Sequence, residues 1–139
     1  MTRVVVRPYR ESDEAEVVAL WTACFRDDQP WNAPRDVIRR KLEVQRELLL
    51  IGVLETRLVA AVMAGYDGHR GWIHRLAVAP DVRRRGIGKR LMEEAESRLR
   101  ERGCAKINLQ IYASNREVVA FYERLGFTVE DRVSMGKRL

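Results

Sequence analysis

The chain has only two cysteines, Cys24 and Cys104, far apart and in no Cys-x-x-Cys or Cys/His spacing. That excludes a disulfide framework and a thiolate metal site, and it reads both as buried thiols. Long apolar runs are also missing. The two most apolar stretches, Leu48–Leu54 and Leu58–Ala64, fall far short of the roughly 20 residues that span a bilayer. The N-terminal run Val4-Val5-Val6 is cut by Arg7, too early for a signal-peptide core. A cytoplasmic protein that neither spans nor binds a membrane is expected. Repeats, low-complexity tracts and linkers are absent, so residues 1–139 are expected to form one domain.

What is present is a chain with a core and a charge bias. Apolar residues make up 46% of the sequence, charged residues 33%, and the net charge is +6. A basic balance suggests an anionic partner: nucleic acid, an acidic membrane face or a phosphorylated cofactor. The distribution narrows the choice. Five of the eight residues from Arg83 to Arg90 are Arg or Lys, and they surround two glycines. A compact polyphosphate suits that cluster better than an extended nucleic-acid backbone, and no aromatic residues interleave with it.

The periodicities predict a mixed α/β (α+β) sheet with helices on both faces, in the order β-α-α-β-β-β-α-β-α-β-β. Thr2–Arg7 reads as a strand. Ser12 and Asp13 offer an N-cap, and Glu16 stands where a capping box with Asp13 would put it. Val17, Leu20, Trp21, Cys24 and Phe25 follow at helical spacing. Arg26–Pro34 is loop, and a second helix is predicted over Pro34–Arg46. Glu47–Leu54 and Leu58–Gly65 form a hairpin around Glu55-Thr56-Arg57, and Trp72–Val78 is a further strand. Ile87–Arg102 is an amphipathic helix with Leu91, Ala95 and Leu99 inward, closed by Gly103. Lys106–Ile111 is a strand. Asn115 caps a last helix that reaches Leu125 and ends at Gly126. Phe127–Val129 and Val133–Lys137 are predicted as two final strands.

The sharpest signal is the segment Arg83-Arg84-Arg85-Gly86-Ile87-Gly88-Lys89-Arg90 between a strand and a helix. A helix N-terminus exposes unpaired N–H groups and partial positive charge. Glycines there let a diphosphate approach the amides, and basic side chains add charge-assisted contacts. It is not a Walker A loop, because Gly88-Lys89 is followed by Arg90 and the upstream glycine is missing. It is not a Rossmann fingerprint, because Gly86-Ile87-Gly88 lacks the third glycine and lies mid-chain.

Arg83-x-x-Gly86-x-Gly88 after Leu76-Ala77-Val78 resembles the acetyl-CoA signature of the GNAT N-acetyltransferase family. The segment from Asn115 to Phe127, with Phe121-Tyr122-x-x-x-Gly126-Phe127, resembles the family's second signature. The loop at 28–34 and the tail at 134–139 look like the YpeA-type bacterial acetyltransferases. The resemblance implies acetyl-CoA as co-substrate. The amides of Arg85, Gly86, Gly88 and Lys89, in the turn that also holds Arg83, Arg84 and Ile87, would hold its pyrophosphate. Leu76, Ala77 and Val78 would pair with the pantetheine arm. Asn115 and Tyr122 lie two turns apart, about 10 Å along a helix, so one face would offer an amide to the pantetheine and a phenol to the sulfur.

Acetyl transfer needs an amine held against a thioester carbonyl, an N–H donor for the oxyanion and a proton for the thiolate. With a phenol near 10 and a thiol near 8.5, Tyr122 is expected to act as general acid without large tuning. Many family members carry a glutamate on the strand that is Trp72–Val78 here, and this chain has none. His74 is the candidate base; a water chain or an amine arriving neutral are the alternatives. Trp31 is a candidate either for lining the acceptor pocket or for plugging a proline-rich loop. The acceptor is an amine of a small molecule or a protein, no metal or nucleic acid is expected, and a homodimer is possible. A non-catalytic acetyl-CoA sensor and a basic nucleic-acid-binding module are the rival readings.

Overall fold

The computed structural model describes residues 3–26 and 29–139. Thr2 of the first predicted strand and Asp28 of the loop likeness lie outside them. Five strands form one sheet in the order β1-β2-β3-β4-β5: β1 (Val5–Pro8), β2 (Leu49–Leu54), β3 (Arg57–Tyr66), β4 (Gly71–Val78) and β5 (Ile107–Leu109). The first four neighbours pair antiparallel, and β5 joins β4 in parallel. Four helices cover the sheet: α1 (Glu14–Cys24), α2 (Pro34–Leu42), α3 (Ile87–Glu101) and α4 (Arg116–Arg124).

The two faces follow from a few contacts. A Cβ on Gly52 would lie 2.9 Å from Leu91, and one on Gly71 would lie 3.3 Å from Leu99, so these residues face α3. A Cβ on Gly65 would lie 3.6 Å from Lys41 Nζ, so Gly65 and its β4 neighbour Trp72 face α2. Leu91, Ala95 and Leu99 of α3, and Val17, Leu20 and Trp21 of α1, bury the sheet from opposite sides as their spacing predicts. Cys24 and Cys104 are free thiols, Cys104 being buried.

Local chain chemistry fixed several ends. At Gly103 (φ +84) the Cys104 N–H donates to Leu99 O and the Gly103 N–H to Arg100 O, the paired bonds of a Schellman motif. Gly126 (φ +95) does the same for α4, with Phe127 N–H on Tyr122 O and Gly126 N–H on Glu123 O. Asn115 caps α4, its Oδ1 accepting from the Val118 N–H at 3.3 Å.

Other ends were decided by distant partners. The capping box at α1 does not form. Asp13 instead accepts from Arg7 Nη1 and Nη2 (2.7 and 2.9 Å) and from the Arg10 N–H, while Glu16 accepts from the Leu58 N–H. The second helix stops at Leu42, short of Arg46. Gln45 turns left-handed (φ 56) so that its amide can bond both the N–H and the C=O of Tyr66. Phe127–Val129 and Val133–Lys137 are not strands. The tail meets β5 through side chains, Lys106 and Asn108 on Glu130 and Gln110 on Ser134, rather than through a backbone ladder. Val129, Val133 and Met135 stay exposed, so their alternation has no core face to bury.

Candidate active site

The sheet opens where β4 and β5 part. Their pairing ends at Ile73↔Leu109, while β4 continues to Val78. From His74 onward one edge of β4 therefore faces a cleft. Gln29, Tyr112, Ser114 and Asn115 line a cavity of about 570 Å³.

A bulge shapes the β4 edge. Ala61 pairs with Ala77 and Met63 with His74, so β4 carries an extra residue between them. Arg75 takes the left-handed conformation there (φ 55). Its carbonyl accepts from Trp21 Nε1, its Nη2 donates to Asn32 O, and its guanidinium lies over the Trp21 and Phe25 rings. The bulge ties β4 to α1 and to the α1–α2 loop. Past it, Ala79 N–H bonds Val59 O, so alternation turns Val78 toward the free edge and Ala77 toward β3. Of the expected pantetheine partners, Ala77 spends its backbone groups inside the sheet. The Val78 carbonyl already accepts from Arg83 Nε at 3.0 Å.

The cleft runs into the N-terminus of α3. Gly86 is its N-cap, with φ 79 and ψ 10. The Gly86 carbonyl accepts the first helical bond, from Arg90. That leaves Gly86, Ile87, Gly88 and Lys89 as the unpaired donors of the helix start, which include Gly86, Gly88 and Lys89 of the expected set and add Ile87. A Cβ on Gly86 would meet nothing within 4 Å, so its conformation alone calls for glycine, and the space beside its Cα is open. Gly88 has a different reason. A Cβ there would come within 3.2 Å of Phe121, so its absence lets α4 pack on the first turn of α3.

Charge at this turn is positive. Asp81, just ahead of it, is held at a pKa of about 2 by its two hydrogen bonds with Arg57, and so is neutralised in place. Arg84 and Arg85 are exposed. Arg83 folds back over the end of the sheet, its Nη2 donating to Cys24 Sγ.

Tyr122 lies within 6% of full burial, edge-on to Phe121 and Phe127 with centroids 5.0 and 5.4 Å away. Burial pushes its pKa up to about 12. It is a donor at any physiological pH, but a weaker acid than its sequence suggested. Asn115 lines the cavity and Tyr122 packs in the core, so the two do not share one exposed face.

His74 is the first β4 residue beyond the last β5 pair. Its ring stacks on Trp72 (centroids 6.4 Å, planes 11° apart), on the α1/α2 face. Crowding by neighbouring protein, then the charges of Lys41 and Arg75, push its pKa below the ordinary 6.5. It is neutral at pH 7. Trp31 is not a core plug. It is 43% exposed, and Arg138 of the tail lies 3.9 Å over its ring. Arg75, Lys41 and Arg138 were not picked out by sequence reasoning, since a bulge, a buried lysine and a returning tail leave no periodic trace.

The family model of the acetyltransferase (GNAT) family matches residues 13–127. The chain belongs to the GNAT acetyltransferase family. The enzyme is 40% identical over 134 residues to an acetyltransferase of Yersinia enterocolitica, covering 96% of this chain and 94% of that one. It is 42% identical over 135 residues to an acetyltransferase of Sodalis glossinidius, with the same coverage. Among solved structures, the PaiA N-acetyltransferase of Thermoplasma acidophilum in complex with coenzyme A matches with a TM-score of 0.79 at 20% identity, over 94% of this chain and 93% of that chain. The aminoglycoside N-acetyltransferase AAC(6')-Iy in complex with CoA matches with a TM-score of 0.78 at 17% identity, over 99% and 96%. The enzyme is thus an N-acetyltransferase whose co-substrate is acetyl-CoA. The open space beside the Gly86 Cα and the unpaired amides of the helix start fit a diphosphate. Among the described residues no helix is long and apolar enough to cross a membrane, and no His/Cys/Asp/Glu group could hold a metal.

Proposed function

We propose that the enzyme, as one domain, transfers the acetyl group of acetyl-CoA directly to a primary amine held in the cleft between β4 and β5. The observation that carries this reading is the route itself: a free β4 edge from His74 to Val78 that ends at four unpaired amides of α3. Arg84, Arg85 and Lys89 flank those amides and add charge for the pyrophosphate. The outward N–H of Val78 is left for the pantetheine.

In the transfer, the amine lone pair attacks the thioester carbon and a tetrahedral oxyanion forms. A β4 backbone N–H at the free edge is suited to stabilise it. The C–S bond then breaks, and the sulfur leaves as a thiolate that takes a hydrogen bond from the Tyr122 hydroxyl. With Tyr122 near 12 and a thiol near 8.5, complete proton transfer to sulfur is uphill by about 3.5 units, about 5 kcal/mol. Tyr122 therefore acts mainly by stabilising the thiolate, and solvent completes the protonation. The proton lost by the amine passes to neutral His74 or to water at the same mouth.

Calorimetry with acetyl-CoA, followed by a free-thiol assay with a panel of primary amines, tests the reading. Saturable binding and amine-dependent thiol release are expected. Binding without release from any amine would favour a sensor, and no binding would remove the proposal altogether.

A further inference from the structure

Lys41 is the cation that the acetyl-CoA route does not use. It is only 8% exposed, more than nine-tenths buried. A buried ammonium ordinarily has an anionic or hydrogen-bonding partner. Among the described residues Lys41 makes no hydrogen bond or ion pair, and the carboxylate whose charge acts on it is that of Glu47. Glu47 is itself hydrogen-bonded to Arg102. Glu14 is paired with Arg35 and Arg39. Glu16 accepts from the Leu58 N–H.

Its position relates it to the chemistry. Lys41 Nζ lies over Gly65, where the missing side chain leaves it room. Gly65 pairs with Trp72, and two residues along the same face Met63 pairs with His74. That step is about 7 Å in a strand. Lys41 thus sits on the His74 side of the sheet, close enough for its charge to act on the imidazole. Asn108 Oδ1 is the buried side-chain oxygen or nitrogen without a partner among the described residues, so Lys41 Nζ keeps some solvent access. His74, next along the same face, is exposed. Lys41 and Arg75 both stand close enough for their charges to act on His74, and β4 itself carries no carboxylate.

A site built for a simple cationic amine would present carboxylates. This one presents an ammonium without a hydrogen bond or ion pair, on a side chain more than nine-tenths buried. Resting on the acetyl-transfer reading, we propose that the acceptor is a small primary amine that also carries a carboxylate, and that Lys41 binds that carboxylate on the α2 side of the cleft. Such a charge-assisted contact orients the amine toward the acetyl group without taking part in the bond changes.

The test uses the intact enzyme, acetyl-CoA and matched pairs: L-α-amino acids and ω-amino carboxylates against their amides. At least one carboxylate should exceed its amide in kcat/KM by about tenfold or more. Lys41→Met should raise KM for that carboxylate by a similar factor. The amide's kcat/KM and the Kd for acetyl-CoA should stay within about twofold. Lys41→Arg should recover part of the loss. Lys41→Gln, with a melting curve, serves if the methionine variant does not fold. Amides used as well as carboxylates, equal effects of Lys41→Met on both, or acetyl-CoA binding with no acetylation across the panel would each overturn this proposal alone. Failure of the unmodified enzyme to bind acetyl-CoA would overturn the acetyl-transfer reading together with it.

Discussion

Replacing Tyr122 with phenylalanine separates two consequences of one burial. The folded pKa of about 12 stands above the ordinary 10. The folded state therefore favours the neutral phenol. Stability is intact below pH 10 and falls as pH rises toward 12, by about 2.7 kcal/mol in all at 1.36 kcal/mol per unit. At pH 11 the wild type should have lost about 1.4 kcal/mol that Tyr122→Phe does not lose. Urea unfolding of both proteins at pH 8 and pH 11 measures this difference directly. At pH 8 the two should differ little, since no hydrogen bond is lost among the described residues. In turnover, losing a hydrogen bond to a thiolate should lower kcat about 10- to 100-fold. No basic limb belonging to Tyr122 should appear below about pH 10. Parallel loss of stability in both proteins at pH 11 would refute the burial argument. A limb near pH 8–9 that vanishes in Tyr122→Phe would refute the thiolate-stabilising role.

Three further outcomes follow from other sites. Gly86→Ala forces a left-handed φ of 79 on a residue with a Cβ; it should cost about 1–2 kcal/mol in thermal unfolding and weaken acetyl-CoA about tenfold or more by calorimetry. Asp13, 4% exposed, is pushed up by burial, but its bonds from Arg7 and the Arg10 N–H outweigh that and hold it below 3.8. Asp13→Asn should lose about 2–4 kcal/mol at pH 7, and wild-type stability should fall with pH below 3.8 more steeply than the variant's. His74, depressed below 6.5, should place an acid limb of kcat/KM under that pH, and His74→Gln should abolish it; an unchanged profile would assign the proton to water.

Features controlled by short stretches of chain were legible before any packing was known. Gly103 and Gly126 had to end α3 and α4, because each left-handed turn closes on carbonyls three and four residues back. Asn115 had to start α4, because its side chain reaches the third N–H ahead. The glycine turn at 86–88 announced the start of α3 and its orphan amides, because these are a property of any helix start. Tertiary structure alone decided what depends on distant partners. Arg7 drew Asp13 out of its capping box, and Tyr66 drew Gln45 out of the helical path. The bulge at Arg75 puts Ile73 and Ala77 on opposite faces although they stand four residues apart, a spacing that in an unbroken strand keeps them together. The parting of β4 from β5 and the burial of Tyr122 and Lys41 are of the same kind. Each is set by packing between segments far apart in sequence, for which no local pattern carries a signal.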